Sequence, residues 1–423
     1  MCGKRVCGHA KGPGFLSEAA AAVPRERLNV RRTFLLGFGM FSISLASALY
    51  NAYVPLFLRH YLTSVALIGA IVAFRSLSGL VLNLYFAARS DRTWTRLGRR
   101  MPYIVIGMPI AGLLFLMFPW QFGAAFLVTI DIVYAFSSNI FYAPTIALMP
   151  DVTPAALRSQ ANGVINLLAG IGALLAFFGG PILYGVSRDL PFLVVGVLFF
   201  IIPVLMRWGI REPADIPQSE SVGLVHLWRA GVEVWRNVDR TGVYLLLAIF
   251  FWTAGESSVD TFFVTYGVYH LHLTSGTAVI TIGVFAVAYL LGAYPSGLLS
   301  GRIGRRLTVQ LGALALGLAF LAIPFLPSLL MLRLVAFVGG LGWALVNINA
   351  YPWVTDLTKT KMGAYTGLYI LATGLATVAA QPLIGLAMDH LGYQMLFYIS
   401  GPACLIALGL LAGTRQGQAR LTK

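Results

Sequence analysis

Apolar stretches long enough to cross roughly 30 Å of hydrocarbon as a helix alternate with short polar segments along almost the whole chain. The pattern predicts spanning helices at about Thr33 to Leu58, Ala66 to Ala88, Pro102 to Trp120, Gly123 to Leu148, Asn162 to Tyr184 and Leu190 to Gly209. A second set is predicted at about Thr241 to Val268, Gly276 to Leu299, Leu307 to Leu326, Ser328 to Val354, Met362 to Met388 and Met395 to Gly413. This is an all-α membrane protein of twelve helices in two sixes. The sixes occupy 33–209 and 241–413, with a polar linker at 210–240 and polar tails at 1–32 and 414–423. Within the linker, Val225, Trp228, Val232 and Trp235 share one helical face. That face fits the inner membrane surface or the protein's own cytoplasmic side.

Composition agrees with the pattern, since 58% of the residues are hydrophobic and 11% charged, where a soluble domain has about a quarter charged. The net charge of +15 raises the question of nucleic acid, and its distribution answers it. If both termini are cytoplasmic, every Lys and Arg except Arg59, Arg75, Arg188 and Arg333 falls in an inner segment. That is the positive-inside bias of a multi-pass protein of a plasma or bacterial inner membrane, with anionic lipid at its inner face. Nucleic acid is not needed to explain it. Cys2, Cys7 and Cys404 are too scattered for a disulfide framework or metal site. With no phosphate loop or nucleophile elbow either, no cofactor, metal or enzymatic centre is expected.

The second half echoes the first. Asn347 and Pro352 stand about 208 positions after Asn139 and Pro144, and Asp389 follows the eleventh helix as Asp189 follows the fifth. A hairpin with Arg302, Arg305 and Arg306 follows the eighth helix, as one with Arg89, Arg92, Arg96, Arg99 and Arg100 follows the second. Gly301 stands where the first hairpin has Asp91.

Three carboxylates lie inside predicted spans, Asp131, Glu256 and Asp260, and Arg75 is the basic residue deep within one. Each costs about 2.5–3.5 kcal/mol on insertion scales unless paired or hydrated. Arg75 and Asp131 fall at one depth, so a charge pair between helices two and four is expected. Glu256 and Asp260 are i,i+4 on helix seven, with Trp252 one turn below. Two such carboxylates cannot easily both ionise, so the pair can take up and release a proton. Trp252 is either a platform for an apolar sugar face or plain packing. Tyr50, Asn51 and Tyr53 on helix one and Asn139, Asn347, Asn349 and Gln381 on helices four, ten and eleven either face a cavity or bond helix to helix. In a cavity they suit a neutral polyhydroxy solute.

The order Ser90-Asp91-Arg92-Thr93, Arg96, Gly98-Arg99, Pro102-Tyr103 resembles the loop after the second helix of major facilitator transporters. Ala87 stands where that loop usually has glycine. The nearest likeness is to the glycoside-pentoside-hexuronide cation symporters and the related sucrose transporters. The resemblance implies two halves about a midplane site. It also implies a cytoplasmic gating loop comprising Asp91, Arg92, Arg96, Gly98, Arg99 and Arg100, with Arg302, Arg305 and Arg306. In the cation symporters an arginine matching Arg75 is followed by sodium-binding carboxylates. Here Ser78 and Leu82 replace them, and Tyr142 replaces a third on helix four, which points to protons over sodium. The sucrose-type relatives carry an acid on helix four, where this chain has Asp131 about a turn earlier.

The expectation is a secondary transporter coupling a sugar or glycoside to protons, through Glu256, Asp260, Asp131 and Arg75. Tyr142 and Trp252 join the amides and tyrosines in binding the solute. The alternatives are a proton-coupled exporter of drugs or amphipaths and a non-transporting membrane sensor or scaffold.

Overall fold

In hydrocarbon a backbone must satisfy its own amides, and the twelve apolar runs do so as helices. The computed structural model describes residues 28–154, 157–213, 240–357 and 362–414. The first six helices are α1 (Val30–Tyr61), α2 (Val65–Arg92), α3 (Met101–Trp120), α4 (Ala124–Val152), α5 (Arg158–Val186) and α6 (Leu190–Gly209). The second six are α7 (Thr241–Tyr269), α8 (Ser275–Ile303), α9 (Arg305–Phe325), α10 (Leu329–Asp356), α11 (Gly363–Leu391) and α12 (Met395–Ala412). Most of the linker, with the face of Val225, Trp228, Val232 and Trp235, and most of both tails lie outside the described residues.

Several helices run a turn past the apolar stretch that predicts them, because capping rather than hydropathy ends a helix. The Ser64, Thr274 and Ser328 side chains accept hydrogen bonds from Leu67, Thr277 and Met331 and start α2, α8 and α10. Within α5, Leu175–Gly179 widens into a π-helical turn.

Each half packs alike. α1 lies against α4, α5 and α6, α2 against α4, and α3 against α4 and α6. Correspondingly, α7 lies against α10, α11 and α12, α8 against α10, and α9 against α10 and α12. The sequence echo is thus a structural repeat. The halves meet through α1 on α7, α2 on α11 and α5 on α8. Glycines permit the α2–α11 crossing: a Cβ on Gly69 would stand 2.5 Å from the Gln381 carbonyl oxygen, and one on Gly385 would stand 2.7 Å from that of Val65.

Candidate functional site

Tyr50 and Asn51 sit side by side on α1, where it faces both halves. The Tyr50 hydroxyl donates to Asp131 Oδ1 at 2.5 Å. The Arg75 guanidinium lies 4.4 Å from the centre of the same tyrosine ring, and its Nη2 donates to Asn51 Oδ1 at 3.2 Å. Asn51 Nδ2 in turn donates to Asp260 Oδ2 on α7 at 2.6 Å. The amide of Asn51 uses its acceptor toward the cation and its donor toward the carboxylate. One polar chain, Asp131–Tyr50–Arg75–Asn51–Asp260, therefore crosses the interface between the halves. Tyr134, one turn after Asp131, stacks on Tyr50 with ring centres 5.7 Å apart.

This geometry corrects the expected Arg75–Asp131 ion pair. Both residues reach one level, but among the described residues they form no salt bridge, because Tyr50 lies between them. Its hydroxyl serves the carboxylate and its π-face serves the guanidinium, so both charges are accommodated without meeting. Asp131 Oδ2 remains buried and without a hydrogen bond among the described residues.

Below the network, toward the arginine hairpins, is a cavity of about 690 Å³, a size suited to a small solute. Arg75, Asn139 and Tyr142 line it with Tyr134, Phe141 and Phe199 of the first half and Thr373 and Gly374 of α11. Asn139 also donates to Ser78 Oγ at 3.2 Å and to the Ala135 carbonyl at 2.7 Å. Asp260 and Glu256 border a second, small cavity of about 30 Å³ walled by Phe263, Phe285 and Phe320, roomy enough for about one water. The Glu256 carboxylate has no hydrogen bond among the described residues.

Other expected solute contacts are placed elsewhere. Tyr53 is fully buried and stacks on Tyr184 with centres 4.6 Å apart. Trp252 is also buried, in the core of the second half, so packing is its role in this state. Asn349 donates to Ser296 Oγ at 2.8 Å and to the Leu345 carbonyl at 2.9 Å. It, and not Asn347, repeats the bonding of Asn139, while Asn347 is half-buried with no hydrogen bond among the described residues. Gln381 donates to Thr261 Oγ1 at 2.7 Å. These amides tie helices within the second half.

Beyond the network, at the end opposite the hairpins, the halves are latched. Asp389 of α11 accepts from Ser64 Oγ at 2.8 Å and from the Val65 and Ala66 amides at 2.7 and 3.0 Å, satisfying the exposed donors that start α2. Arg59 donates to the Tyr393 hydroxyl at 2.9 Å, with its guanidinium 5.5 Å from the centre of the Tyr269 ring. The sequence echo located Asp389 without revealing this role. Its signal was the serine cap at Ser64, which marks a helix start needing acceptors.

The first hairpin is held inside its own half. Arg99 donates to Asp151 at 2.8 Å, and Arg100 donates to Asp91 at 2.6 Å and also binds Asp151. Glu212, at the start of the linker, accepts from the Arg99, Arg100 and Met101 amides at 2.8–3.1 Å. Gly98 has φ +114°, and a side chain there would strike the Glu212 carboxylate. Arg92 and Arg96 are exposed. In the second hairpin Arg305 pairs with Asp356, and Arg306 donates to the Ala412 carbonyl at 2.8 Å.

A search of curated proteins by sequence returns no significant match. Among solved structures the chain is similar to the nucleoside transporter NupG, at 14% identity and a TM-score of 0.71 over 92% of this chain and 100% of that one. It is also similar to a bacterial homologue of the human lysosomal transporter Spinster in an inward-facing, occupied conformation. That match has 14% identity and a TM-score of 0.72 over 90% of this chain and 95% of the other. The Major Facilitator Superfamily model matches residues 36–284 and 269–421. With twelve helices in two equivalent sixes and a polar network at their interface, the chain belongs to the Major Facilitator Superfamily.

Proposed function

We propose that the protein is a secondary transporter that couples a sugar or glycoside to protons by alternating access. The observation that carries this reading is the Asn51–Asp260 hydrogen bond. It links a carboxylate in the second half to the Arg75–Tyr50–Asp131 cluster in the first, directly above a cavity lined by amides and aromatic rings. Asp260 and Glu256 together can hold and release one proton. Changing the charge on Asp260 changes its bond to Asn51 and hence the balance between two arrangements of the halves. In this state the latch at Asp389 and Arg59 closes the far end, and the cavity reaches Ala87 on the hairpin side. The hairpin side is the cytoplasmic one in this reading, and a cysteine at Thr93 labels only from inside.

The mixed walls of the cavity suit a solute with hydroxyls on one face and an apolar or aromatic face on the other, as in glycosides and nucleosides. The test uses proteoliposomes with an imposed pH gradient and a panel of mono- and disaccharides, aryl glycosides and nucleosides. The expected result is gradient-driven accumulation of one class, with proton movement on adding it. Asp260→Asn should lose accumulation while retaining counterflow. Proton-driven efflux of an amphipathic cationic dye with no response to the panel would establish the exporter reading instead. No transport or counterflow of any compound would leave the sensor or scaffold.

A further inference from the structure

On the outer wall of the second half, α8 and α10 leave a groove of about 480 Å³ that runs from mid-membrane to the second hairpin. Its α8 wall is Leu291, Pro295, Leu298 and Arg302, spaced four, three and four apart and so on one helical face. Leu341 and Leu345 form the α10 wall, and Gly292 and Ser296 the floor. From Leu291 to Arg302 the helical rise is ~16 Å, close to the ~15 Å of one leaflet's hydrocarbon. The groove is thus one acyl chain long, with a cation at its end.

Arg302 is unlike its neighbours. Arg305 is paired with Asp356 and Arg306 with the Ala412 carbonyl, whereas Arg302 is exposed and makes no hydrogen bond or ion pair among the described residues. Gly292 lets α8 pack closely on α10 at the floor, since a Cβ there would stand 2.9 Å from that of Ala344.

We propose that a phospholipid with an anionic headgroup occupies this groove, its phosphate on Arg302 and one acyl chain along Leu291, Leu298, Leu341 and Leu345. A guanidinium at membrane-surface depth favours the phosphate, and the leucine walls match the chain. The site does not depend on the transported solute or on coupling, only on these helices spanning a bilayer.

The experiment is native mass spectrometry of the full-length protein equilibrated in mixed micelles of equal phosphatidylglycerol and phosphatidylcholine. Wild type should retain phosphatidylglycerol preferentially. Retention should fall at least threefold in Arg302→Gln and in Leu298→Trp, which fills the groove, and should persist in Arg302→Lys and in the neighbouring control Arg306→Gln. Equal retention by wild type and Arg302→Gln would overturn the proposal. So would an equal loss in Arg306→Gln, which would show diffuse charge attraction. Competition by inorganic phosphate alone would also overturn it, by assigning Arg302 to a free anion.

Discussion

In the first hairpin Arg99 and Arg100 are buried against Asp91 and Asp151, and Glu212 binds the backbone beneath them. In the second, Gly301 stands in place of the carboxylate, Arg305 shares a solvent-accessible pair with Asp356, and Arg302 has no partner among the described residues. The same contrast holds at mid-membrane. Asp131 in the first half has Tyr50 as donor from its own half, whereas Asp260 in the second takes its donor, Asn51, from the other half, and Glu256 has none among the described residues. At these two places the first half pairs its charges internally, while the second leaves charges for groups outside it. A repeat can therefore keep the same helix packing while its charged side chains find partners in different ways.

The sharpest test of this contrast is at the first hairpin. Arg100→Ala removes a buried arginine from both Asp91 and Asp151 and should cost about 3–5 kcal/mol, measured as lost thermal stability in detergent. Next, Tyr50→Phe removes the only hydrogen bond to Asp131 among the described residues and should cost about 1–3 kcal/mol. Combining it with Asp131→Asn should recover part of that loss, and strict additivity of the two changes would show that the bond contributes nothing. Asp389→Ala removes the acceptors at the start of α2 and should cost about 1 kcal/mol. Because the lost bonds join the halves, alternating access as proposed predicts that the change also reduces labelling, from the hairpin side, of a cysteine placed at Tyr142. Unchanged labelling would show that the latch does not bias the two states. The smallest effect is expected at the second hairpin, where Arg305→Ala should cost less than about 1 kcal/mol because its pair with Asp356 is open to solvent. A loss as large as that of Arg100→Ala would erase the difference between the hairpins.

Much of this was legible along the chain because the physics involved is local. Hydropathy over a helix length set the twelve spans, and the cost of burying charge singled out Asp131, Glu256, Asp260 and Arg75 from depth alone. Partnership was not local. Tyr50 and Asp131 are 81 residues apart, Asn51 and Asp260 209, and Val65 and Asp389 324. Position on a helix gives a residue's depth and face, but not how that helix is rotated toward its neighbours. The exchange of Asn347 for Asn349 shows the limit: two residues turn a helix by about 200°, enough to move an amide from one neighbour to another while the sequence echo looks the same. Tyr50 illustrates it again, since a matched depth for Arg75 and Asp131 is compatible with a direct pair or with a ring between them. The sequence by itself determined how many helices there are, where they lie and which charges are anomalous. Only the tertiary structure decided which of those charges meet and which end of the molecule is closed, because both depend on the rotation and tilt of helices packed from distant parts of the chain.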